Sequence, residues 1–132
     1  MPLMATLDDI EQYLIRLDLP YEEIDGGMWV IHDEDHADNI VVYYDDPLVM
    51  FRVKLMELPQ GDHTALFRTL LEFNETELVH GAFALEEQNV VVVDTRQVIN
   101  LDFNEFQASV DSLTLAITQL YPRLAKFHHT EA

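Results

Sequence analysis

The spacing of apolar residues predicts two amphipathic helices in the first half of the chain. In LDDIEQYLIRL (7–17), leucine and isoleucine recur at intervals of three and four, which places them on one face of a helix. Thr6 is suited to cap this helix and Pro20 to stop it. The segment DHTALFRTLLEFN (62–74) carries a second apolar face, and Asn74 is expected to end that helix in a left-handed conformation.

A third, longer helix is predicted after Asp102, which can cap its first turn. Pro122 is expected to end or kink this helix at Tyr121, because proline lacks an amide hydrogen and restricts the residue before it. Residues 123–132 then form a short tail with room for about one more helical turn. The apolar residues of the helix are Phe106, Val110, Leu113, Ile117 and Leu120.

Stretches rich in β-branched and aromatic residues predict three strands between the first two helices. They are MWVIH (28–32), NIVVYY (39–44) and LVMFRVKL (48–55). Asp45-Asp46-Pro47 separates the last two strands and suits a tight turn, with aspartate at its first position and proline at its second. We therefore expect these two strands to pair as a hairpin.

A second hairpin is predicted over residues 77–98. Its first strand is expected over Val79–Leu85, its turn over Glu86–Asn89, and its return strand opens with Val90–Val93. Four consecutive valines favour a strand and leave no polar face. This strand is therefore expected to be central in the sheet or covered by helices.

The predicted elements follow the order α-β-β-β-α-β-β-α within one domain, residues 1–132. Because adjacent strands in such runs pair antiparallel, the expected fold class is α+β: an antiparallel sheet of about five strands with three helices that cover it. The hairpins offer more strand surface than three helices can cover. Some sheet surface or edge is therefore expected to remain free for a partner.

The charge of the chain limits its partners. Twenty-five acidic residues against seven lysines and arginines give a formal net charge of -18. Such an acidic surface repels phosphate groups, so neither nucleic acid nor membrane is an expected partner. The absence of cysteine excludes disulfides and thiolate metal sites. No signal peptide or transmembrane segment is recognisable, and a cytoplasmic protein is expected.

The polar cluster HDEDHADN (32–39) raises the question of a metal site. A calcium loop that starts at Asp33 would need an oxygen ligand at its fifth position, a glycine at its sixth and a glutamate at its twelfth. Those positions hold Ala37, Asp38 and Tyr44. The pattern fails at all three, whereas aspartate and asparagine are favoured in a polar turn between two strands.

A zinc site in the same cluster would need a distant third ligand. His32 and His36 lie on a short loop, and only His63 or His80 could join them through the packing of the fold. A polar turn is therefore the preferred interpretation, and no metal ligand is predicted. Weak metal capture by this turn remains an alternative.

Catalytic signatures are missing from the sequence. It contains no G-x-S-x-G, P-loop, G-x-G-x-x-G or H-E-x-x-H motif, and it has only four glycines. The acidic pairs Asp45-Asp46 and Glu86-Glu87 fall at predicted turns, where exposed carboxylates keep similar environments and do not divide into acid and base. We therefore expect no catalytic residues, no cofactor and no enzymatic activity.

The second half of the chain carries a family resemblance. A helix that ends in LLEFN is followed by the hairpin ELVHGAFALEEQNVVVVDTRQV and then by a capped helix that opens with DFNEFQASVDSL. This order resembles the class I type III secretion chaperones and their CesT-like and YbjN-like relatives. The element order matches over nearly the whole chain, as do the small size, the acidity and the lack of cysteine.

The resemblance implies a small homodimer that binds an unfolded segment of a client protein through apolar patches and strand pairing. The family dimerises around its second helix and the following strand, which here gives a dimer interface of Leu71, Phe73, Val79, Gly81 and Phe83. The implied client-binding residues are Val49 and Phe51.

Three alternatives to a secretion-chaperone-like protein stay open. One is a YbjN-like regulatory protein of the same fold. The second is a metal-binding enzyme centred on residues 32–38. The third is an acidic mimic that occupies a nucleic-acid-binding surface, which would require a continuous stripe of carboxylates on the folded protein.

Overall fold

The computed structural model describes residues 3–33 and 38–129, which form three α-helices, six strands and two further helical segments after the third α-helix. The elements are α1 (Leu7–Leu17), β1 (Tyr21–Asp25), β2 (Met28–Asp33), β3 (Asp38–Asp45), β4 (Leu48–Glu57), α2 (Thr64–Thr76), β5 (Ala82–Glu86), β6 (Asn89–Gln97) and α3 (Phe103–Leu115). The fold class is α+β, as the sequence predicted. None of the described helices has the length and the apolar run that a membrane crossing requires.

All six strands belong to one antiparallel sheet with the order β1-β2-β3-β4-β6-β5. The sequence predicted about five strands and missed β1, YEEID, because this strand is mostly exposed and shows no alternation of apolar and polar residues. The glycine pair after it was the available signal, since Asp25 pairs with Met28 across a two-residue Gly26-Gly27 turn.

One face of the sheet carries the hydrophobic core. Alternate residues of the central strands point to this face, and Phe51 meets Phe106 of α3 with ring centroids 5.2 Å apart. Helix α1 packs on α3 through Tyr13, whose hydroxyl donates to the carbonyl of Leu101 at 2.9 Å. Helix α2 covers the β5 end of the same face, where Phe73 contacts Phe83.

The predicted starts of α1 and α3 are confirmed by their capping contacts. The hydroxyl of Thr6 accepts the amide of Asp9, and the carboxylate of Asp9 accepts the amide of Thr6, which is a reciprocal capping box. Asp102 caps α3 by accepting the amide of Glu105 at 2.8 Å.

The predicted left-handed end at Asn74 is wrong, because α2 continues through Asn74 to Thr76. Its side chain has a long-range role in the sheet, described below. The β3–β4 hairpin is confirmed, but Asp45 pairs with Leu48, so Pro47 is the third residue of the turn, after a cis peptide bond.

The C-terminal segment is part of the core, although the sequence indicated a short tail. After α3 the chain continues as a π-helical turn over Ala116–Leu120 and a 3-10 helix over Tyr121–His129. The change at Tyr121 agrees with the predicted effect of Pro122. Leu124 and Phe127 are buried, so this segment packs against the domain.

Candidate functional site

The two outer edges of the sheet differ in how their backbone groups are satisfied. At the β5 edge, the side chain of Asn74 in α2 acts like a short piece of strand. Its Oδ1 accepts the amide of Phe83 at 2.7 Å, and its Nδ2 donates to the carbonyl of the same residue at 3.4 Å. Because β5 pairs with β6 on its other side, this contact closes the outer edge of β5 at Phe83.

The β1 edge presents backbone groups to the outside. The amide of His32 donates to the carbonyl of Pro20 at 2.8 Å, so this carbonyl points toward β2. Two residues further along, the amide and carbonyl of Glu22 point the same way. In an antiparallel pair the intervening residues direct theirs away from the partner strand. Tyr21 and Glu23 therefore point their amide and carbonyl groups out of the sheet.

Helix α1 lies beside this edge, and its face formed by Leu7, Glu11 and Ile15 is called the α1 wall. Leu7, Glu11 and Ile15 are spaced four residues apart and share one face of the helix. The hydroxyl of Tyr21 donates to Glu11 at 3.2 Å, which places that face over the start of β1. Leu7 and Ile15 are 46% and 52% exposed, so the wall offers two apolar contacts on either side of a carboxylate.

The β1 edge and the helix beside it are strongly acidic. Between residues 7 and 25, seven acidic residues stand against one basic residue, Arg16. The guanidinium of Arg16 lies 3.9 Å from the ring centroid of Phe103, on the α3 side of the helix. Desolvation, followed by the nearby carboxylate of Glu11, raises the pKa of the Tyr21 phenol. The acidic residues are Asp8, Asp9, Glu11, Asp18, Glu22, Glu23 and Asp25.

The predicted dimer residues separate into exposed and buried ones. Leu71 and Val79 are 68% and 83% exposed, whereas Phe73 and Phe83 are buried and face each other with ring centroids 5.9 Å apart. Gly81 has a φ of 81° and interrupts the strand that the sequence predicted from Val79. Of these five residues, Leu71 and Val79 are the two whose side chains are largely exposed in the protomer.

An apolar groove of about 220 Å³ lies between α2 and the β5 edge. Leu71 and Phe83 both line it, so the structure brings these two predicted residues together. Phe67 and Leu85 line it as well, and Leu85 is half exposed. The sequence did not assign Leu85 to an interface, although its position next to the turn of an edge hairpin was a signal.

The predicted client-binding residues Val49 and Phe51 are fully buried. Both point to the helical face from the central strand β4, and Phe51 is covered by Phe106. Their burial removes them as direct contacts for a client of the folded protein. The alternation of β4 was correctly identified, but its apolar face turns toward the protein's own helices.

The histidines of the possible metal site have other contacts. His32 lies in β2, with its Nδ1 3.1 Å from Asn39 Oδ1 and its Nε2 3.4 Å from Glu22 Oε2. The Nε2 of His63 lies 2.6 Å from the carbonyl of Pro59. His36 falls outside the described residues. Within residues 3–33 and 38–129, no group of three potential ligands is close enough to hold a metal ion.

His80 belongs to a partly buried polar network between β6 and α3. Its Nδ1 lies 2.9 Å from Nη2 of Arg96, and it accepts, because a guanidinium can only donate. Arg96 also donates to Ser109 at 2.8 Å and pairs with Glu105, while Ser109 donates to Asp94 at 2.6 Å. These contacts join β6 to α3, which indicates a role in fixing the two elements against each other.

Comparison with known proteins identifies similar chains. The CesT_Tir_1 family model matches residues 3–130. The crystal structure of YbjN, a candidate transcription regulator from E. coli, has a TM-score of 0.69 and 14% sequence identity, and the alignment covers 93% of this chain and 96% of that one. Comparison with the curated proteins found no match.

Chains from two protein complexes also have this fold. A chain of the heterodimeric ExoU-SpcU complex from the type III secretion system of Pseudomonas aeruginosa has a TM-score of 0.69 and 17% identity, covering 86% of this chain and 95% of that one. A chain of the ExsC-ExsE complex has a TM-score of 0.68 and 16% identity, covering 97% and 100%. At such identities the likeness concerns the fold.

Proposed function

The chain belongs to the CesT_Tir_1 family, and on that premise we propose that it is a non-enzymatic, dimeric binding module that holds an extended segment of a client protein. Two of the similar structures, ExoU-SpcU and ExsC-ExsE, are complexes between two different proteins, which supports a partner-binding role here. We place the client segment along the outer edge of β1, as a seventh strand of the sheet.

The observation that carries this proposal is the difference between the two sheet edges. Tyr21 and Glu23 direct backbone amide and carbonyl groups outward from β1. In β5, the outward amide and carbonyl of Phe83 are already hydrogen-bonded to the side chain of Asn74. A peptide that adds to a sheet edge gains main-chain hydrogen bonds, and pockets for its alternate side chains give selectivity. The half-exposed Leu7 and Ile15 of α1 supply such apolar contacts beside β1.

A pair of proline variants tests which edge receives the client. Glu23→Pro removes an outward amide from β1, and Leu85→Pro removes the equivalent outward amide from β5, two residues after Phe83. Segments would first be selected from a phage-displayed random library by the wild-type protein. Their affinities for both variants would then be measured by fluorescence anisotropy.

We expect Glu23→Pro to lose the selected segments and Leu85→Pro to keep them. Loss in Leu85→Pro alone, with the dimer shown to be intact by sedimentation velocity, would place the client at the β5 edge, and full binding by both variants would exclude strand addition. Circular dichroism of each variant separates lost binding from lost folding.

The dimer that the family resemblance implies is best accommodated by the α2–β5 groove. Leu71 and Leu85 expose apolar surface there, on the side of the sheet opposite to β1. A second protomer on this surface would cover both leucines and leave the β1 edge free for a client. Each dimer would then carry two client sites at its outer edges.

The likeness to YbjN favours a second candidate function, regulation through the same partner-binding surface. In that case the bound segment would belong to a regulatory protein and would not be exported. Direct contact with nucleic acid is disfavoured by the formal net charge of -18. Identification of the partner by crosslinking from Glu23 would separate the two functions.

A further inference from the structure

Side chains of α1 near the β1 edge indicate which kind of client segment would fit there. Helix α1 approaches both ends of the β1 region, because Leu7 lies near Gly27 in the β1–β2 turn and Glu11 lies near Tyr21 at the start of β1. The Cδ2 of Leu7 is 3.6 Å from the position that a Cβ on Gly27 would occupy. The Oε2 of Glu11 accepts a hydrogen bond from the hydroxyl of Tyr21 at 3.2 Å.

The spacing of the α1 wall matches the repeat of an extended peptide. Leu7 and Ile15 are eight residues apart, which is about 12 Å along a helix axis. In an extended segment, side chains on one face repeat about every 6.6 Å, so positions i and i+4 are about 13 Å apart. Two apolar side chains of a client strand can therefore reach Leu7 and Ile15, with one residue of the same face between them.

That intermediate position faces negative charge. Glu11 lies between Leu7 and Ile15 on the helix, and Glu23 lies on the same sheet face, since it pairs with the buried Trp29. Arg16, the basic residue of this region, is turned toward Phe103. A lysine or arginine at the middle position would be attracted by the part-buried carboxylate of Glu11 and the exposed carboxylate of Glu23, whereas an aspartate or glutamate would be repelled.

Resting on the function proposed above, we infer that the client segment has the pattern apolar-x-basic-x-apolar, where x is any residue that suits a strand. The apolar residues contact Leu7 and Ile15, and the basic residue lies between Glu11 and Glu23. Backbone pairing to β1 supplies the binding that does not depend on sequence, and the middle residue selects by charge.

Two synthetic peptides test this pattern. They share leucines at positions i and i+4 and threonines elsewhere, and they differ only in lysine or glutamate at position i+2. At low ionic strength the wild-type protein is expected to bind the lysine peptide at least about tenfold more tightly than the glutamate peptide. The ratio should shrink toward one in about 0.5 M salt, where the Debye length is only a few ångströms.

A charge reversal on the protein provides the matched control. Glu23→Lys should narrow or invert the preference for lysine, whereas Glu87→Lys, in the turn at the opposite edge of the sheet, makes the same change in net charge and should leave it intact. Equal narrowing by both variants would mean that overall charge attracts the peptide, and would overturn the assignment to β1.

The failure of this pattern and the failure of the proposed function give different results. Equal binding of both peptides to the wild type, still abolished by Glu23→Pro, would refute the charge pattern while strand addition stands. No binding of either peptide would also refute the pattern. Strand addition at β1 would fail with it only if segments from the random library showed no sensitivity to Glu23→Pro.

Discussion

A Cβ atom on Gly81 would lie 2.7 Å from the carbonyl oxygen of Val93, which is closer than real Cβ contacts allow. It would also lie 3.2 Å from the Cβ of Asp94, and Gly81 has a φ of 81°. The preceding residue is held as well, because the carbonyl of His80 accepts the hydroxyl of Ser112 at 2.6 Å. The chain between α2 and β5 is thus fixed closely against β6 and α3.

Replacement of Gly81 by alanine is therefore expected to destabilise the fold. The side chain adds the cost of a left-handed backbone to a clash with the backbone of β6, and the free energy of unfolding should fall by roughly 2 kcal/mol or more. Gly26→Ala is the matched control, because nothing lies within 4 Å of a Cβ there. Urea unfolding followed by circular dichroism measures both, and equal stability of the two variants would contradict the packing of Gly81.

Asn74→Ala tests the closure of the β5 edge. The variant loses the side chain that pairs with both backbone groups of Phe83, so unfolding should become easier by about 1–2 kcal/mol. The uncovered edge should also increase concentration-dependent association. Urea unfolding and light scattering report the two effects.

A suitable control is Asn104→Ala, an exposed substitution in the first turn of α3. It should change the stability by much less, since an exposed amide exchanges its contacts with water. If the Asn74 variant were as stable as the wild type, the side chain would not be a structural part of the sheet edge.

Leu71→Glu tests the proposed dimer surface. Leu71 is exposed in the protomer, so a charge there should leave folding intact but weaken dimerisation by about tenfold or more. Sedimentation velocity over a range of concentrations measures this effect. Ile99→Glu, at another half-exposed apolar residue, is the control and should not change the dimer.

Two outcomes would count against this surface: a wild-type protein that is monomeric at micromolar concentration, or a Leu71→Glu dimer as tight as the wild type. A charge at Phe83 would be less informative. Phe83 is buried against Phe73, and its replacement would disturb the fold together with any interface.

Stability should depend on pH through Glu86. The hydrogen bond from Arg52, whose Nε lies 3.0 Å from Glu86 Oε2, holds the pKa of this carboxyl below its usual value. Folding therefore favours the ionised form, so the contribution is complete above the unfolded pKa, about 4.3, and is lost as the pH falls through the folded pKa. Acidification should weaken the link between β4 and β5.

Glu86→Gln is thus expected to flatten the decline of unfolding free energy between about pH 5 and pH 3. Arg52→Gln should flatten it in the same way, because it removes the partner that lowers the pKa of Glu86. Urea titrations at several pH values measure the slope. A wild-type slope in either variant would show that the pair is not linked to folding.

Much of the secondary structure could be predicted because its signals are local. The Thr6 and Asp102 caps, the apolar period of α1 and the four valines of β6 act over a few residues, and each predicted element is present. Strand β1 was not predicted, because its four exposed residues bury little apolar surface and give no alternating pattern. Its place in the sheet depends on pairing with β2, which no local pattern encodes.

The candidate site was much harder to predict from the chain alone. Alternation in β4 correctly separates Phe51 from Arg52, but it does not say which face the helices cover, and the predicted client contacts proved to be core. The role of Asn74 could not be predicted from the sequence for a similar reason. Its residue type suits a helix end, but a pairing with Phe83 nine residues away decides its role.

The sequence by itself determined the class of the fold, the order of its elements and its acidic character, because hydrophobic period, capping and charge are properties of short segments. Only the tertiary structure decided which sheet edge is closed by Asn74, which is open at Tyr21 and Glu23, and which leucines stay exposed. Backbone groups are identical along a chain, and their availability to a partner depends on which other strands and side chains the fold has already placed against them.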